Sequence, residues 1–124
     1  MKVVTIEVPA LGNRCHLVHD GRVAVVIDPP RGTREVERVA EDEEVEIVAI
    51  ADTHVHNDYL SGALGLARRH GADYLLAADE AVEFERVGVR HGDGVRLYIL
   101  SDDNNNAAQR TLLLAFDVRS APTP

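Results

Sequence analysis

Apolar and polar residues alternate at the start of the chain, as in strands of a half-buried sheet. KVVTIEV at 2–8 alternates and is rich in β-branched residues, which predicts a strand that ends at Pro9. RCHLVHDGRVAVVID at 14–28 holds two apolar stretches around Asp20-Gly21. Because Asp-Gly supplies the positive φ angles of a two-residue turn, this stretch predicts a β-hairpin.

The middle of the chain changes to an alternation of helical and strand patterns. Thr33 can cap a helix over 34–43, which has one apolar face. VEIVAIAD at 45–52 becomes a continuous apolar run, which is typical of a buried parallel strand. The pattern then predicts a helix over 60–71, a strand over 72–78, a short helix over 79–86, and a turn and strand over 91–100. A hairpin start followed by alternating helices and strands indicates a layered α/β domain.

The end of the chain does not continue this pattern. SDDNNNAAQR at 101–110 is polar, whereas TLLLAFDV at 111–118 is apolar again. We expect a polar loop, then one weak strand or helical turn, and a disordered tail. The sequence is therefore divided into one domain over 1–100 and a divergent segment over 101–124.

Composition narrows the class of protein. A chain of 124 residues that is 45% apolar suits a single domain with a core. A net charge of −8 disfavours nucleic acid and anionic membranes as partners, because both would repel an acidic surface. The single cysteine, Cys15, excludes an internal disulfide and fits a reducing compartment. No apolar run approaches the ~20 residues that span a bilayer, so we expect a cytoplasmic protein.

The segment THVHNDYLSG at 53–62 directly follows the predicted buried strand. His54 and His56 lie on the same side of an extended segment and could together hold zinc or iron(II). Asp58 keeps that parity and could ligate the metal or orient a bound water. Open α/β sheets bind ligands at this edge, so the segment indicates a metal site. The alternative is a pair of surface histidines without a function, because His-x-His also arises by chance.

Other residues with relevant chemistry allow both structural and functional interpretations. Cys15 and His19 share a strand parity and could form a second metal cluster, although a buried structural thiol is the favoured interpretation. Asp28 ends the second hairpin strand before two prolines, where it could be a turn residue or could hydrogen-bond the 53–62 segment. Gly62 permits a close approach of the following helix to the site.

These motifs resemble the metallo-β-lactamase fold superfamily. THVHNDYLSG, after an apolar strand and before a helix, is similar to the signature Thr-His-x-His-x-Asp-His, and VVIDPP at 25–30 and NRCHLV at 13–18 resemble the strands that precede it. Tyr59 in the place of the last histidine resembles the persulfide dioxygenase branch, which includes members fused to rhodanese domains. The resemblance covers roughly residues 3–100. It implies the N-terminal half of an αββα sandwich, with a mixed sheet that starts with a hairpin and continues in βα units.

The resemblance also implies a metal and a substrate. Persulfide dioxygenases hold one iron(II) with two histidines and one aspartate, and oxidise glutathione persulfide with O2 to sulfite and glutathione. His54 would be the first iron ligand, and His56 and Asp58 would be ligands or would support a vacant second site. Tyr59 and Asp28 would assist without binding the metal. A phenol is a poorer ligand than an imidazole, so Tyr59 favours one metal, with zinc as the alternative to iron.

The family takes its remaining ligands from a later part of the chain, including a histidine in a Thr-Pro-Gly-His-Thr-like turn. No such turn is present here, and no histidine follows His91. Two other functions are therefore kept: a thioester or ester metallohydrolase related to hydroxyacylglutathione hydrolase, and a truncated, non-catalytic remnant. Half a sandwich would also leave an apolar sheet face uncovered, which predicts self-association, a complementary second chain or poor solubility.

Overall fold

The computed structural model describes residues 1–9, 12–55 and 60–90, together with the backbone of two later strands. Neither helix in these ranges is long and apolar enough to cross a membrane. The described elements are β1 (Lys2–Val8), β2 (Asn13–His19), β3 (Val23–Ile27), α1 (Arg34–Asp42), β4 (Glu46–Ala51), α2 (Ala63–His70), β5 (Asp73–Ala77), β6 (Val87–Val89), β7 (Arg96–Ser101) and β8 (Leu112–Asp117).

Six of these strands form one mixed sheet in the order β1-β2-β3-β4-β5-β6. The first three strands are antiparallel, and β3 to β6 are parallel to one another. This arrangement confirms the predicted α/β class, with a hairpin start followed by βα units. The apolar stretch near the end of the chain forms β8, which pairs antiparallel with β7 in a second sheet. The predicted polar loop before β8 and the predicted disordered tail after residue 118 lie outside the described residues.

The main core lies between the two helices and one face of the six-stranded sheet. Helix α1 contributes Val36 and Ala40, and α2 contributes Leu66 and Ala67. The strands contribute the buried residues that face the helices: Cys15 and Leu17, Ala24 and Val26, and, on either side of an irregularity in the β3–β4 pairing, Ile47 and Ile50. A smaller cluster of Val18, Ile27 and Ala51 lies on the opposite face. Both helices therefore bury their apolar stripe against the same face, as their periodicity predicts.

The predicted hairpin is present, but its turn is longer than two residues. Strand β2 ends at His19 and β3 begins at Val23. Gly21 has a positive φ of 93°, whereas Asp20 does not. The Asp20 carboxylate instead accepts hydrogen bonds from the amides of Arg22 and Val23, both at 2.9 Å. The prediction of a two-residue turn was therefore wrong. The Asp20 side chain stabilises a longer turn, which does not need a left-handed backbone at Asp20.

Helix α1 begins after Thr33, as predicted, and ends in a left-handed residue. The Thr33 hydroxyl donates to Glu37 at 3.3 Å and caps no backbone amide. At the other end Glu44 has a φ of 55°. The amide of Val45 donates to the carbonyl of Ala40 at 3.0 Å, and the Glu44 amide donates to Glu41 at 3.0 Å. This is the hydrogen-bond pattern of a Schellman motif with glutamate where glycine is usual.

Ion pairs connect α1 with α2. Arg69 Nε donates to Glu37 Oε1 at 3.1 Å, and His70 Nε2 lies 3.0 Å from the same oxygen. Arg69 also hydrogen-bonds the Thr33 hydroxyl. Burial alone would raise the pKa of Glu37, but the hydrogen bonds from Arg69 and His70 outweigh burial and lower it.

The helix predicted over 79–86 is absent, and this prediction was wrong. The Arg86 guanidinium donates to the carbonyls of Ala78 at 3.2 Å and Glu80 at 2.8 Å. The Phe84 ring stacks on Tyr74, with centroids 5.6 Å apart. The chain then forms β6, which the sequence pattern did not predict. So short a helix is marginal alone, and here side-chain hydrogen bonds and pairing with β5 satisfy the backbone instead.

Candidate metal centre

Strands β3 and β4 end side by side, at the carboxyl edge of the parallel part of the sheet. Ile27 pairs with Ala51, the last residue of each strand. The Asp28 amide continues this pairing, because it donates to the carbonyl of Ala51 at 2.8 Å. The segments that follow the two strands therefore start next to each other. Ligand sites of open α/β sheets are built at this edge.

The Asp28 carboxylate holds the first residue of the segment 53–62, here called the motif loop. Oδ1 accepts from the Thr53 amide at 2.7 Å, and Oδ2 accepts from the Thr53 hydroxyl at 2.6 Å. Both residues are buried, with 7% and 8% of their surfaces exposed. Asp28 has a φ of 51°, in the left-handed region that aspartate tolerates better than most residues. Its backbone conformation turns the carboxylate back onto the motif loop.

Thr53 in turn favours one tautomer of the neutral His54 ring. The Thr53 hydroxyl lies 2.9 Å from His54 Nδ1. A hydroxyl has one proton, and that of Thr53 is donated to the Asp28 carboxylate, so its oxygen accepts from an Nδ1–H group. The neutral imidazole then carries its lone pair on Nε2. The side chain of His54 is exposed at the edge of the sheet. Metal-binding histidines usually donate their other N–H to a polar partner in this way, so His54 fits a ligand that binds through Nε2.

A second buried carboxylate, Asp52, lies one residue before the motif loop and is 3% exposed. Its Oδ1 accepts from the Ser61 hydroxyl at 2.9 Å, and its Oδ2 accepts from the Tyr74 hydroxyl at 2.5 Å. The Ser61 oxygen also accepts from the Ala63 amide at 3.0 Å, in the first turn of α2. From the sequence, Asp52 was assigned no role. The only signal was a carboxylate at the end of an apolar strand, since nothing linked Ser61 and Tyr74 to it.

Gly62 allows the start of α2 to contact the segment that follows β3. A Cβ atom at this position would lie 2.2 Å from the Pro30 carbonyl oxygen and 2.6 Å from Thr33 Cγ2. The Gly62 amide donates to the carbonyl of Pro29 at 3.2 Å. The predicted close approach therefore exists, and its partner is the β3–α1 connection that begins at Asp28.

Asp28 and Asp52 make the interior below this edge electrically negative. Burial raises the pKa of the Cys15 thiol to about 12, and the charges of Asp28 and Asp52 add to this effect. Burial, followed by the hydrogen bond to Asp52, raises the pKa of Tyr74 as well. Both groups therefore stay protonated at neutral pH, and Tyr74 acts as a hydrogen-bond donor.

A second metal cluster at Cys15 and His19 has no support in the described ranges. The thiol is fully buried, and His19 Nδ1 accepts from the Gly21 amide at 3.2 Å. His19 Nε2 lies 3.4 Å from Glu43 Oε2. Among residues 1–9, 12–55 and 60–90, no three histidine, cysteine or acidic side chains are grouped as a metal would require.

Of the residues predicted to form the metal site, the structure places Asp28 and His54. Thr53 connects His54 with Asp28 through hydrogen bonds at the edge of the sheet. His56, Asp58 and Tyr59 lie outside the described residues. Their assignment as ligands, or as neighbours of the ligands, stays a prediction.

Comparison with solved structures identifies the fold. The ETHE1 protein of Myxococcus xanthus is 30% identical, with a TM-score of 0.67, over 77% of this chain and 44% of that chain. A metallo-β-lactamase from Staphylococcus aureus subsp. aureus COL is 25% identical, with a TM-score of 0.67, over 77% of this chain and 31% of that one. The BLEG-1 B3 metallo-β-lactamase is 17% identical over 60% of this chain and 36% of that chain, with a TM-score of 0.52, which shows the fold alone. No family model matches the chain, and no curated protein matches it.

The chain therefore has a partial metallo-β-lactamase fold. The resemblance predicted from the motif loop is confirmed, and the similar structures include ETHE1, a persulfide dioxygenase. The chain spans less than half the length of each of these three structures.

Proposed function

We propose that this chain carries the metal-binding loop of a persulfide dioxygenase, which holds one iron(II) ion and oxidises a thiol persulfide such as glutathione persulfide with O2. The observation that carries the proposal is the hydrogen-bond chain from Asp28 through Thr53 to His54. It fixes the proton on Nδ1 and leaves Nε2 with the lone pair that a metal needs. The 30% identity to ETHE1 supports the same function.

Each residue of the proposed site has a separate task. His54, with His56 and Asp58, would hold the metal, with zinc as the alternative to iron. When bound, iron(II) would supply a centre at which persulfide sulfur and O2 can both be activated; with one water molecule, the outer sulfur would then leave as sulfite, and the thiol and two protons would be released. Asp28 and Thr53 fix the orientation of the His54 ring before any metal arrives. Tyr59 in a histidine position favours one metal over two.

The remaining contacts of the proposed metal would come from outside the motif loop. The chain spans 44% of the length of ETHE1, so we propose the activity for a site that further protein segments complete. Those segments could belong to a second copy of the chain or to a complementary chain.

A second candidate is a metallohydrolase that cleaves a thioester or ester with metal-activated water. The similar structure from Staphylococcus aureus is named a metallo-β-lactamase, which favours this candidate. Tyr59 counts against the version with two metals. The third candidate is a remnant of the fold without catalysis.

Metal content per chain tests the proposal first. We expect about one iron per chain in the purified protein, and its loss in His54→Ala, because a site with few protein ligands cannot lose one and stay occupied. His70→Ala is the matched control, because this histidine lies on α2 and bonds Glu37. It should keep the iron. Little metal in the unaltered protein, or equal loss in both variants, would contradict the proposal.

Activity of the iron-loaded protein then separates the candidates. O2 uptake that depends on glutathione persulfide, and that His54→Ala abolishes, is the expected result. Thioester cleavage without O2 would favour the metallohydrolase. A fully loaded protein with neither activity would favour the remnant.

A further inference from the structure

The two ends of the motif loop are joined by a side-chain hydrogen bond. Asp52 precedes the loop and Ser61 lies near its end, and their side chains meet at 2.9 Å. The Ser61 hydroxyl also accepts from the Ala63 amide, so it connects the end of β4 with the first turn of α2. The two ends of the loop that carries His54 therefore lie next to each other.

Tyr74, on the neighbouring strand β5, also hydrogen-bonds Asp52. Its hydroxyl donates to the second Asp52 oxygen at 2.5 Å, and the residue is 7% exposed. Its ring stacks on Phe84, which fixes the direction of the hydroxyl. The raised pKa of Tyr74 keeps the hydroxyl protonated, so Asp52 receives a donor on each oxygen.

We propose that Asp52, Ser61 and Tyr74 form a loop clamp that positions the motif loop and, with it, the metal ligand His54. The inference rests on the proposed metal site for its functional consequence, and on the described hydrogen bonds for the clamp itself. Asp28, just after β3, hydrogen-bonds Thr53, whereas the clamp holds the adjacent residue, Asp52, through Tyr74 on β5 and Ser61 just before α2. His54 follows two residues that are both fixed by buried hydrogen bonds. The three clamp residues are positioning residues, because none of them is assigned to the metal.

Substitutions that each remove one oxygen atom separate the positioning role of the clamp from a general loss of stability. Tyr74→Phe removes one oxygen and keeps the ring that stacks on Phe84. Ser61→Ala removes a hydroxyl that Ser61→Thr restores. Ile47→Val is the control, because it removes a buried methylene from β4, at the other end of the strand from the loop.

Amide hydrogen exchange of the full, metal-free chain is the deciding measurement. We expect Tyr74→Phe and Ser61→Ala to speed exchange at the Thr53 and Gly62 amides about tenfold relative to Ile47→Val, because the loop ends open locally. Ser61→Thr should exchange like the unaltered protein. Unchanged exchange in Tyr74→Phe, or equal acceleration in Ile47→Val, would overturn the clamp.

Cobalt(II) titration in parallel tests the consequence for the site, because its visible absorption reports coordination. Tyr74→Phe should bind cobalt(II) about tenfold more weakly and with an altered spectrum, as supporting residues of metal sites do. Ser61→Thr and Ile47→Val should bind as the unaltered protein does. Faster exchange with unchanged cobalt(II) affinity and spectrum would overturn the positioning role. An unaltered protein that binds no cobalt(II) would count against the proposed function, and the exchange data would still decide the clamp.

Discussion

Replacing Asp28 with alanine should destabilise the fold more than any conservative change at the same edge. The change leaves two buried donors without their acceptor, the amide and the hydroxyl of Thr53. It also places alanine at a φ of 51°, which aspartate tolerates better. A buried donor without a partner costs about 1–3 kcal/mol, and the backbone adds up to ~1 kcal/mol. Two such donors and the backbone together give an expected loss of about 2–7 kcal/mol, a large share of the ~5–15 kcal/mol that stabilises a typical domain.

Two further variants at this position separate the causes. Asp28→Asn keeps one carbonyl acceptor and a residue that tolerates the left-handed region, so it should lose about 1–2 kcal/mol. Asp28→Gly removes the carboxylate but relieves the backbone, and should be about 1 kcal/mol less destabilising than alanine. The ranking Asn, Gly, Ala therefore tests hydrogen bonding and backbone conformation independently.

Urea denaturation followed by circular dichroism measures these differences. The slope of the transition should stay constant across the series, since the surface exposed on unfolding hardly changes. A loss below about 1 kcal/mol for Asp28→Ala would refute the reasoning, because it would mean that the two Thr53 hydrogen bonds contribute nothing that water cannot replace. Equal stability of the Asp28→Gly and Asp28→Ala variants would refute only the argument from backbone conformation.

Three other changes have outcomes that urea denaturation can check. Gly62→Ala should cost about 1–3 kcal/mol, because its Cβ would overlap a backbone carbonyl at 2.2 Å. Gly65→Ala, inside α2, should stabilise by about 0.5–1 kcal/mol, because its Cβ would make only an ordinary contact with Arg69 Nη1 at 3.5 Å. Glu44→Gly should stabilise by about 0.5–1 kcal/mol because it relieves a φ of 55°, and no gain would argue against strain there. Glu37→Gln should lose up to about 1 kcal/mol at neutral pH, since it weakens the contact with Arg69. The lowered pKa of Glu37 means that this difference should shrink as the pH falls below the ordinary value of 4.5, and a constant difference would contradict it.

The sequence predicted most of the fold because its strands and helices differ clearly in period. The apolar run at 45–52 was sufficient to predict β4 as a buried parallel strand, and the helix predicted over 60–71 does end at Gly71, which has a φ of 60°. The failure at 79–86 has a physical cause. Arg86 supplies hydrogen bonds to backbone carbonyls from six and eight residues away, and such side-chain bonds leave no periodic signal.

In the candidate site, too, local motif residues could be predicted from the sequence and their long-range partners could not. His54 was predictable because it belongs to a local motif, and Asp28 because it ends a strand. Ser61 and Tyr74 were not, because their contact with Asp52 depends on two strands and a helix meeting at one edge. Long-range partners of this kind follow from topology, whereas a motif shows only neighbours in sequence.

The two buried carboxylates would favour a cation at this edge. A buried charge is costly unless hydrogen bonds offset the lost hydration, and Asp28 and Asp52 each accept at least two from uncharged groups. These donors stabilise the charge but do not neutralise it, and both charges add to the effect of burial in raising the pKa of Cys15. A positive ion at His54 would be attracted by both carboxylates through an interior of low polarity. The residues that hold the motif loop in place therefore also favour positive charge beside it, whichever segments complete the site.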